Sequence, residues 1–249
     1  MGSDHQLGGV YSKKEDGFYY TSMGHMTSAI YFLKRGSFQA KELFSLEADT
    51  AKVSLSPDEN KLAFISYRHR ASGKGCFVDL FDEKKDKEMV CLSPSNKDAF
   101  FSEIFWFSDD VLALVEEPLT PSRKKKEKSL YFYSLNNKTM RLHRRGNFTS
   151  VSSAKDGVHL LYSSDVIVAE EVSSKKEIKR VKFLLPGIIG PHVVIKDEFF
   201  FTAFMNDSNG DGVINGLDNG VIFKIPLSEL LDLKKSKDLF PLKQKALLR

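Results

Sequence analysis

The stretch Val53-Ser54-Leu55-Ser56-Pro57-Asp58-Glu59-Asn60-Lys61-Leu62-Ala63-Phe64-Ile65-Ser66 decides how the rest of the chain is read. Two runs rich in β-forming residues flank Ser-Pro-Asp-Glu-Asn. Proline fixes one backbone angle there, and aspartate and asparagine bond to their own backbone, so the segment makes a tight turn between antiparallel strands. Next along the chain, Cys76-Phe77-Val78-Asp79-Leu80 and Glu88-Met89-Val90-Cys91-Leu92 flank the charged run Asp82 to Lys87, the pattern of a second hairpin. Residues 51 to 92 therefore make one unit of four short strands.

The plan recurs on both sides. Upstream, Leu7 to Ser12, Gly17 to Ser22, Ala29 to Leu33 and Ala40 to Leu46 make four strands. Downstream, the third strands Leu130-Tyr131-Phe132-Tyr133, Val166-Ile167-Val168 and Val221-Ile222-Phe223 match Ile30-Tyr31-Phe32 and Phe77-Val78-Asp79-Leu80 and carry the period. A repeat of roughly 40 to 55 residues is the length of a propeller blade. The expected fold is all-β: a β-propeller of about five four-stranded blades at 7–46, 51–92, 99–143, 147–184 and 190–243, forming one domain over 7–243 between tails 1–6 and 244–249. A piece of a larger propeller is the alternative. A parallel α/β sheet would need helical crossovers of a dozen or more residues, and none is visible before residue 228. Ser228 to Lys235 allows a short capped helix, after which Leu239-Phe240-Pro241-Leu242 would serve as a last outer strand.

Composition narrows the function classes. The 249 residues are 41% hydrophobic and 12% aromatic, with 20 Phe and one Trp, which excludes a disordered chain and suits a packed β interior. The formal charge of +4 is dispersed, with no basic stripe of the kind that reads nucleic acid. No apolar run reaches the ~20 residues of a membrane-spanning helix. Met1-Gly2-Ser3-Asp4-His5-Gln6 is polar and is not a signal peptide.

Two cysteines, Cys76 and Cys91, fall opposite one another if the hairpin turn is centred between Glu83 and Lys84. A disulfide there would suggest an oxidising compartment. Two reduced, buried thiols are the other reading, because a slip of one residue in register would part them.

The strongest chemical signal is Asp207-Ser208-Asn209-Gly210-Asp211-Gly212-Val213-Ile214-Asn215-Gly216-Leu217-Asp218. Calcium takes hard oxygen ligands from positions 1, 3, 5, 7, 9 and 12 of a twelve-residue loop, with glycine at 6 for the sharp turn. Asp207, Asn209 and Asp211 occupy the first three of these, Gly212 the glycine position, the Val213 carbonyl the seventh, Asn215 the ninth and Asp218 the twelfth. Asp218 stands where glutamate is usual and is one methylene shorter. The flanks, Phe199-Phe200-Phe201-Thr202-Ala203-Phe204 and Val221-Ile222-Phe223-Lys224-Ile225-Pro226, are strand-like. The loop is therefore expected within a β-hairpin of the last blade, holding structural calcium rather than working as a helical sensor. A solvated Asn/Asp/Gly turn without metal is the plain alternative.

The turn that opens this section resembles the Ser-Pro-Asp-Gly-Lys-hydrophobic-Ala-Phe signature of TolB-like, WD-type bacterial β-propellers, with Glu59 in place of glycine. Ala154-Lys155-Asp156-Gly157-Val158-His159-Leu160-Leu161-Tyr162-Ser163 keeps the Asp-Gly and the strand, and Ser108-Asp109-Asp110-Val111-Leu112-Ala113-Leu114 keeps less. The loop Asp207 to Asp218 resembles both the calcium-loop insertions of some such propellers and a single EF-hand or dockerin repeat. The resemblance implies a periplasmic or extracellular scaffold that binds a protein or an envelope component, and no particular reaction.

Enzyme signatures are absent at the level of motif: the chain has no Gly-x-Ser-x-Gly, His-Glu-x-x-His or Walker loop. No catalytic or cofactor-binding residue is assigned. A propeller glycosidase or lyase with channel carboxylates, or the propeller portion of a larger enzyme, stands as the alternative. His192 after Gly190-Pro191, Trp106 between Phe105 and Phe107, and the basic run Arg123 to Lys128 are expected to be structural, core and solvated loop respectively.

Overall fold

Strand Gly17–Met23 shows how the sequence makes sheets: Gly17, Tyr19 and Thr21 are buried, while Phe18 is exposed and Tyr20 and Ser22 are partly so. Period-two alternation gives a strand one face for a core and one for whatever lies beyond it. The computed structural model describes residues 5–23, 28–46, 49–68, 72–80, 89–119, 127–148, 150–154, 158–163, 166–182, 188–195, 198–204, 208–212 and 219–231. The chain divides into two compact units, Met1–Gly146 and Asn147–Arg249.

The first unit holds three antiparallel sheets, each with its strands side by side in chain order. Sheet one is β1 (His5–Ser12), β2 (Gly17–Met23), β3 (Ser28–Lys34) and β4 (Lys41–Leu46). Sheet two is β5 (Asp49–Leu55), β6 (Lys61–Arg68), β7 (Ser72–Asp79) and β8 (Met89–Leu92). Sheet three is β9 (Ala99–Ser108), β10 (Val111–Pro118), β11 (Lys128–Ser134) and β12 (Thr139–Gly146).

Sheet two is covered on both faces, which is why β6 reads Leu-Ala-Phe-Ile without a polar break. Leu62, Phe64, Cys76 and Val78 pack with Tyr19 and Ile30 of sheet one. Ala63 and Ile65 on the opposite face pack with Phe101, Ile104, Trp106, Leu112, Leu114 and Tyr133 of sheet three. Gly75 permits the second contact: a Cβ there would lie 2.2 Å from Leu114 Cδ2. Trp106 is core, as expected from the sequence, at 5% exposure, and its indole Nε1 donates to the Ser54 carbonyl at 3.1 Å, tying sheet three to sheet two. Among the described residues, Thr21 Oγ1 is buried with no hydrogen-bond partner.

The second unit holds two sheets. Sheet four is β13 (Ser150–Ser153), β14 (His159–Ser163), β15 (Val166–Glu171) and β16 (Lys176–Lys182). Sheet five is β17 (Ile188–Ile195), β18 (Glu198–Phe204) and β19 (Gly220–Pro226), followed by the short helix α1 (Leu227–Leu231). Leu161, Ile167, Ala169, Phe199, Phe201, Phe223 and Ile225 form its core with Leu227 and Leu230 of the helix. Sheet five has three strands among the described residues; the expected fourth, Leu239 to Leu242, lies outside them. Four of the five sheets have the expected four strands, and the fold is that of a β-propeller.

In sheet two, Cys76 is paired directly with Cys91 across β7 and β8, with Cα atoms 4.1 Å apart, and the two are joined as a disulfide. Of the two readings of these cysteines, the structure has the bridge. Cys76 is buried and Cys91 exposed.

Candidate functional site

Two sets of turn carboxylates stand out from the strands. The first is the turn Ser56 to Asn60. Ser56, 2% exposed, donates its hydroxyl to Asp58 Oδ1 at 2.5 Å and accepts the Lys61 amide at 2.9 Å. Asp58 also accepts from the Asn60 amide at 3.0 Å and from its Nδ2 at 2.7 Å. Partial burial works against the Asp58 charge, but the Ser56 hydroxyl and the Asn60 amide bonds outweigh it and hold the carboxyl below the usual range.

Glu59 points away from its own sheet. Its carboxylate accepts the Ser12 hydroxyl at 2.6 Å, the Lys14 amide at 2.8 Å and the Lys13 amide at 3.2 Å, all in the turn between β1 and β2. Desolvation again pushes its pKa up, and these three donors bring it below the ordinary value. Glu59 adopts φ 58°, a left-handed angle that glycine takes without strain. A glutamate at this left-handed position therefore has a local cost and a tertiary return: glycine could not reach the neighbouring turn.

The same connection recurs one sheet on. Asp109, in the turn between β9 and β10, accepts the Asp58 amide at 2.8 Å. Each of these two carboxylates thus holds the hairpin turn of the preceding sheet. No sequence signal marked them, because a solvated turn acid and a turn acid aimed at a neighbour are spelled alike.

The second set is the loop between β18 and β19. Of the expected metal ligands, Asn209 and Asp211 are described; Asp207, Val213, Asn215 and Asp218 lie outside the described residues. Asn209 Oδ1 accepts the Asp211 amide at 3.0 Å and its Nδ2 donates to Asp211 Oδ2 at 3.2 Å, so the two side chains lie together. The Asn219 amide donates to Ser208 Oγ at 2.7 Å, and Phe204 pairs with Gly220 below it, which draws the loop ends together on a β-hairpin. Gly212 has φ 82°, a left-handed turn at the position where the calcium loop calls for glycine. Asn209, Asp211 and Gly212 are exposed.

His192 of β17 is enclosed rather than presented. Its Nε2 lies 2.9 Å from Ser152 Oγ, and its ring centroid is 4.8 Å from that of Phe199. Desolvation takes its pKa down to about 3, against a smaller upward pull from the Leu161 backbone, so the ring is neutral in the folded protein. That is the structural role expected of it. Glu116, 8% exposed, is likewise consumed: it accepts the Ser95 amide at 2.6 Å and bonds the Ser95 hydroxyl, which lies 2.9 Å from Tyr131 Oη. Of the basic run Arg123 to Lys128, positions up to 126 lie outside the described residues, and Lys128 pairs with Glu117 at 2.7 Å.

No family model and no curated protein matches the chain. Among solved structures it is similar to the β-propeller domain of Cps50 (Swd1) from Myceliophteria thermophila, at 12% identity and a TM-score of 0.55, over 86% of this chain and 70% of that one. It is also similar to a prolyl endopeptidase, at 11% identity and a TM-score of 0.62, over 90% of this chain. The chain spans 34% of the length of that peptidase. At these identities the likeness establishes the propeller fold.

Proposed function

We propose that the protein is a β-propeller scaffold, stabilised by calcium at the Asp207 to Asp218 loop, that binds another protein or a cell-envelope component outside the cytoplasm. The observation that carries this reading is the combination of repeated sheets with a loop whose oxygen spacing and left-handed Gly212 suit calcium. Asp207, Asn209, Asp211, the Val213 carbonyl, Asn215 and Asp218 would hold the ion. Calcium would offset the repulsion of three carboxylates in one loop and order a long hairpin connection. The role is structural, since the loop joins two paired strands and has no helix pair to reorient.

The Cys76–Cys91 disulfide supports a periplasmic or extracellular setting, where such bonds persist. The Ser-Pro-Asp turn supports the TolB-like affiliation. The described carboxylates with resolved partners at Glu59, Asp109 and Glu116 bind backbone amides, which favours a scaffold over an enzyme built on channel acids. The second reading, a propeller portion of a larger enzyme, is favoured by the share of the peptidase that the chain matches. Thermal melting tests the calcium reading. Calcium should raise the melting temperature relative to chelator and Asp211→Ala should abolish the rise; superimposable curves for the natural protein would overturn it.

A further inference from the structure

The connection between β3 and β4 runs Lys34-Arg35-Gly36-Ser37-Phe38-Gln39-Ala40-Lys41. Phe38 is fully exposed there, more so than any other large apolar residue among those described. The loop that carries it is ordered from within. The Ser37 amide donates to the Lys34 carbonyl at 3.0 Å, Gly36 takes a left-handed φ of 77°, and the Ser37 hydroxyl donates to the Gln39 carbonyl and accepts the Gln39 amide, both at 3.1 Å. The Arg35 amide donates to the Asp16 carbonyl at 2.8 Å, which fixes this tip beside the turn between β1 and β2. A ring held outward by a built turn is unfavourable in water and is relieved by burial against something else.

The charge around the ring says what that something is. Residues 34 to 41 hold the cations Lys34, Arg35 and Lys41 and no acid, and Lys13 and Lys14 are exposed on the adjoining turn. The nearby acids are engaged: Asp16 pairs with Arg35, Glu59 takes the Lys13 and Lys14 amides, and Glu42 accepts the Tyr31 hydroxyl, which leaves the partly buried Glu15. Cations spread over two turns follow a surface rather than the rim of one pocket. An anionic lipid layer offers that surface, since rings settle at the level of its headgroups while lysine and arginine meet its phosphates.

We propose that the tip between β3 and β4 is a peripheral anchor for an anionic lipid surface, with Phe38 entering the headgroup layer and Lys34, Arg35 and Lys41 lying against its phosphates. The proposal rests on the envelope-binding reading and names the component as lipid. It is independent of the calcium loop, so its failure would leave protein binding and the calcium melting curves untouched.

Vesicles of phosphatidylglycerol and phosphatidylcholine in equal parts, set against phosphatidylcholine alone, test it with the full chain. The protein should sediment with the anionic vesicles and about tenfold less with the neutral ones, in calcium and in chelator alike, and less as salt is raised. Phe38→Ala should lower the anionic partition about tenfold, and Lys34→Gln combined with Lys41→Gln by about as much. Melting temperatures should stay unchanged, because all three side chains are exposed. Phe38→Trp adds an indole to a protein whose natural Trp106 is buried, and its emission should shift to the blue on anionic vesicles, the sign of entry rather than adsorption. Equal binding to both kinds of vesicle, binding that needs calcium, a Phe38→Ala variant that partitions like the natural protein, or an unshifted Phe38→Trp emission would overturn the proposal. Crosslinks from position 38 to a partner protein, with no vesicle binding, would assign the tip to that protein and overturn it as well.

Discussion

The turn at Ser56 to Asn60 and the loop at Ser208 to Gly212 are made of similar residues, and the protein treats them differently. In the first, Asp58 and Glu59 meet hydroxyl and amide donors from their own turn and from the turn of the neighbouring sheet. In the second, Asn209 and Asp211 bond each other on an exposed hairpin connection. A carboxylate is costly to hold beside other acids unless donors or a cation compensate it. One site is completed by tertiary packing; the other is the one we propose calcium completes from solution.

The covalent closure in sheet two should give the largest effect: reducing Cys76–Cys91, or Cys91→Ala, removes a cross-link spanning 15 positions and should cost about 3 kcal/mol in denaturant unfolding. The loop comes next. Calcium at 100 times its dissociation constant should add about 2.7 kcal/mol, and Asp211→Ala should remove that gain without touching sheet two. Glu59→Ala strips three donors of their acceptor and should cost about 2 kcal/mol by chemical denaturation, with or without calcium.

Acid should separate the two units. His192 is neutral in the fold, with its pKa lowered to about 3, so the stability it contributes is complete above the unfolded value near 6.5. Titration of the unfolded chain then removes about 1.4 kcal/mol per pH unit as pH falls through that window. Glu59 is also depressed, so its contribution is present above the unfolded carboxyl value and is lost only as pH falls through its lower folded one. Stability of the His192→Gln variant should therefore be flatter between pH 6.5 and 4.5, where Glu59→Gln should leave the slope unchanged; pH-dependent unfolding curves measure both. The smallest difference is within one position. Glu59→Gly should be about 1 kcal/mol more stable than Glu59→Ala, because glycine accepts φ 58° while both variants lack the carboxylate.

Much of the architecture was legible because strands announce themselves by local chemistry. Gly17 to Ser22 alternates, Leu62 to Ile65 does not, and Ser-Pro-Asp ends one strand and starts the next, so the four-stranded all-β plan follows from neighbours in sequence. The placement of the loop between β18 and β19 on a β-hairpin was legible for a similar reason, since its flanks are strand-like residues and its Gly212 takes a left-handed turn. The cysteine pairing was balanced between two readings, because it turned on a register that only the packed hairpin sets.

The sequence alone therefore determined the elements: where strands run and where turns fall. Tertiary structure decided which of the turn oxygens are already spoken for. Glu59 looked like a poor substitute for glycine until sheet one was set beside it. Hydrogen bonds between turns 45 residues apart depend on how sheets stack, and nothing in the local spelling of a turn records the neighbour it will face.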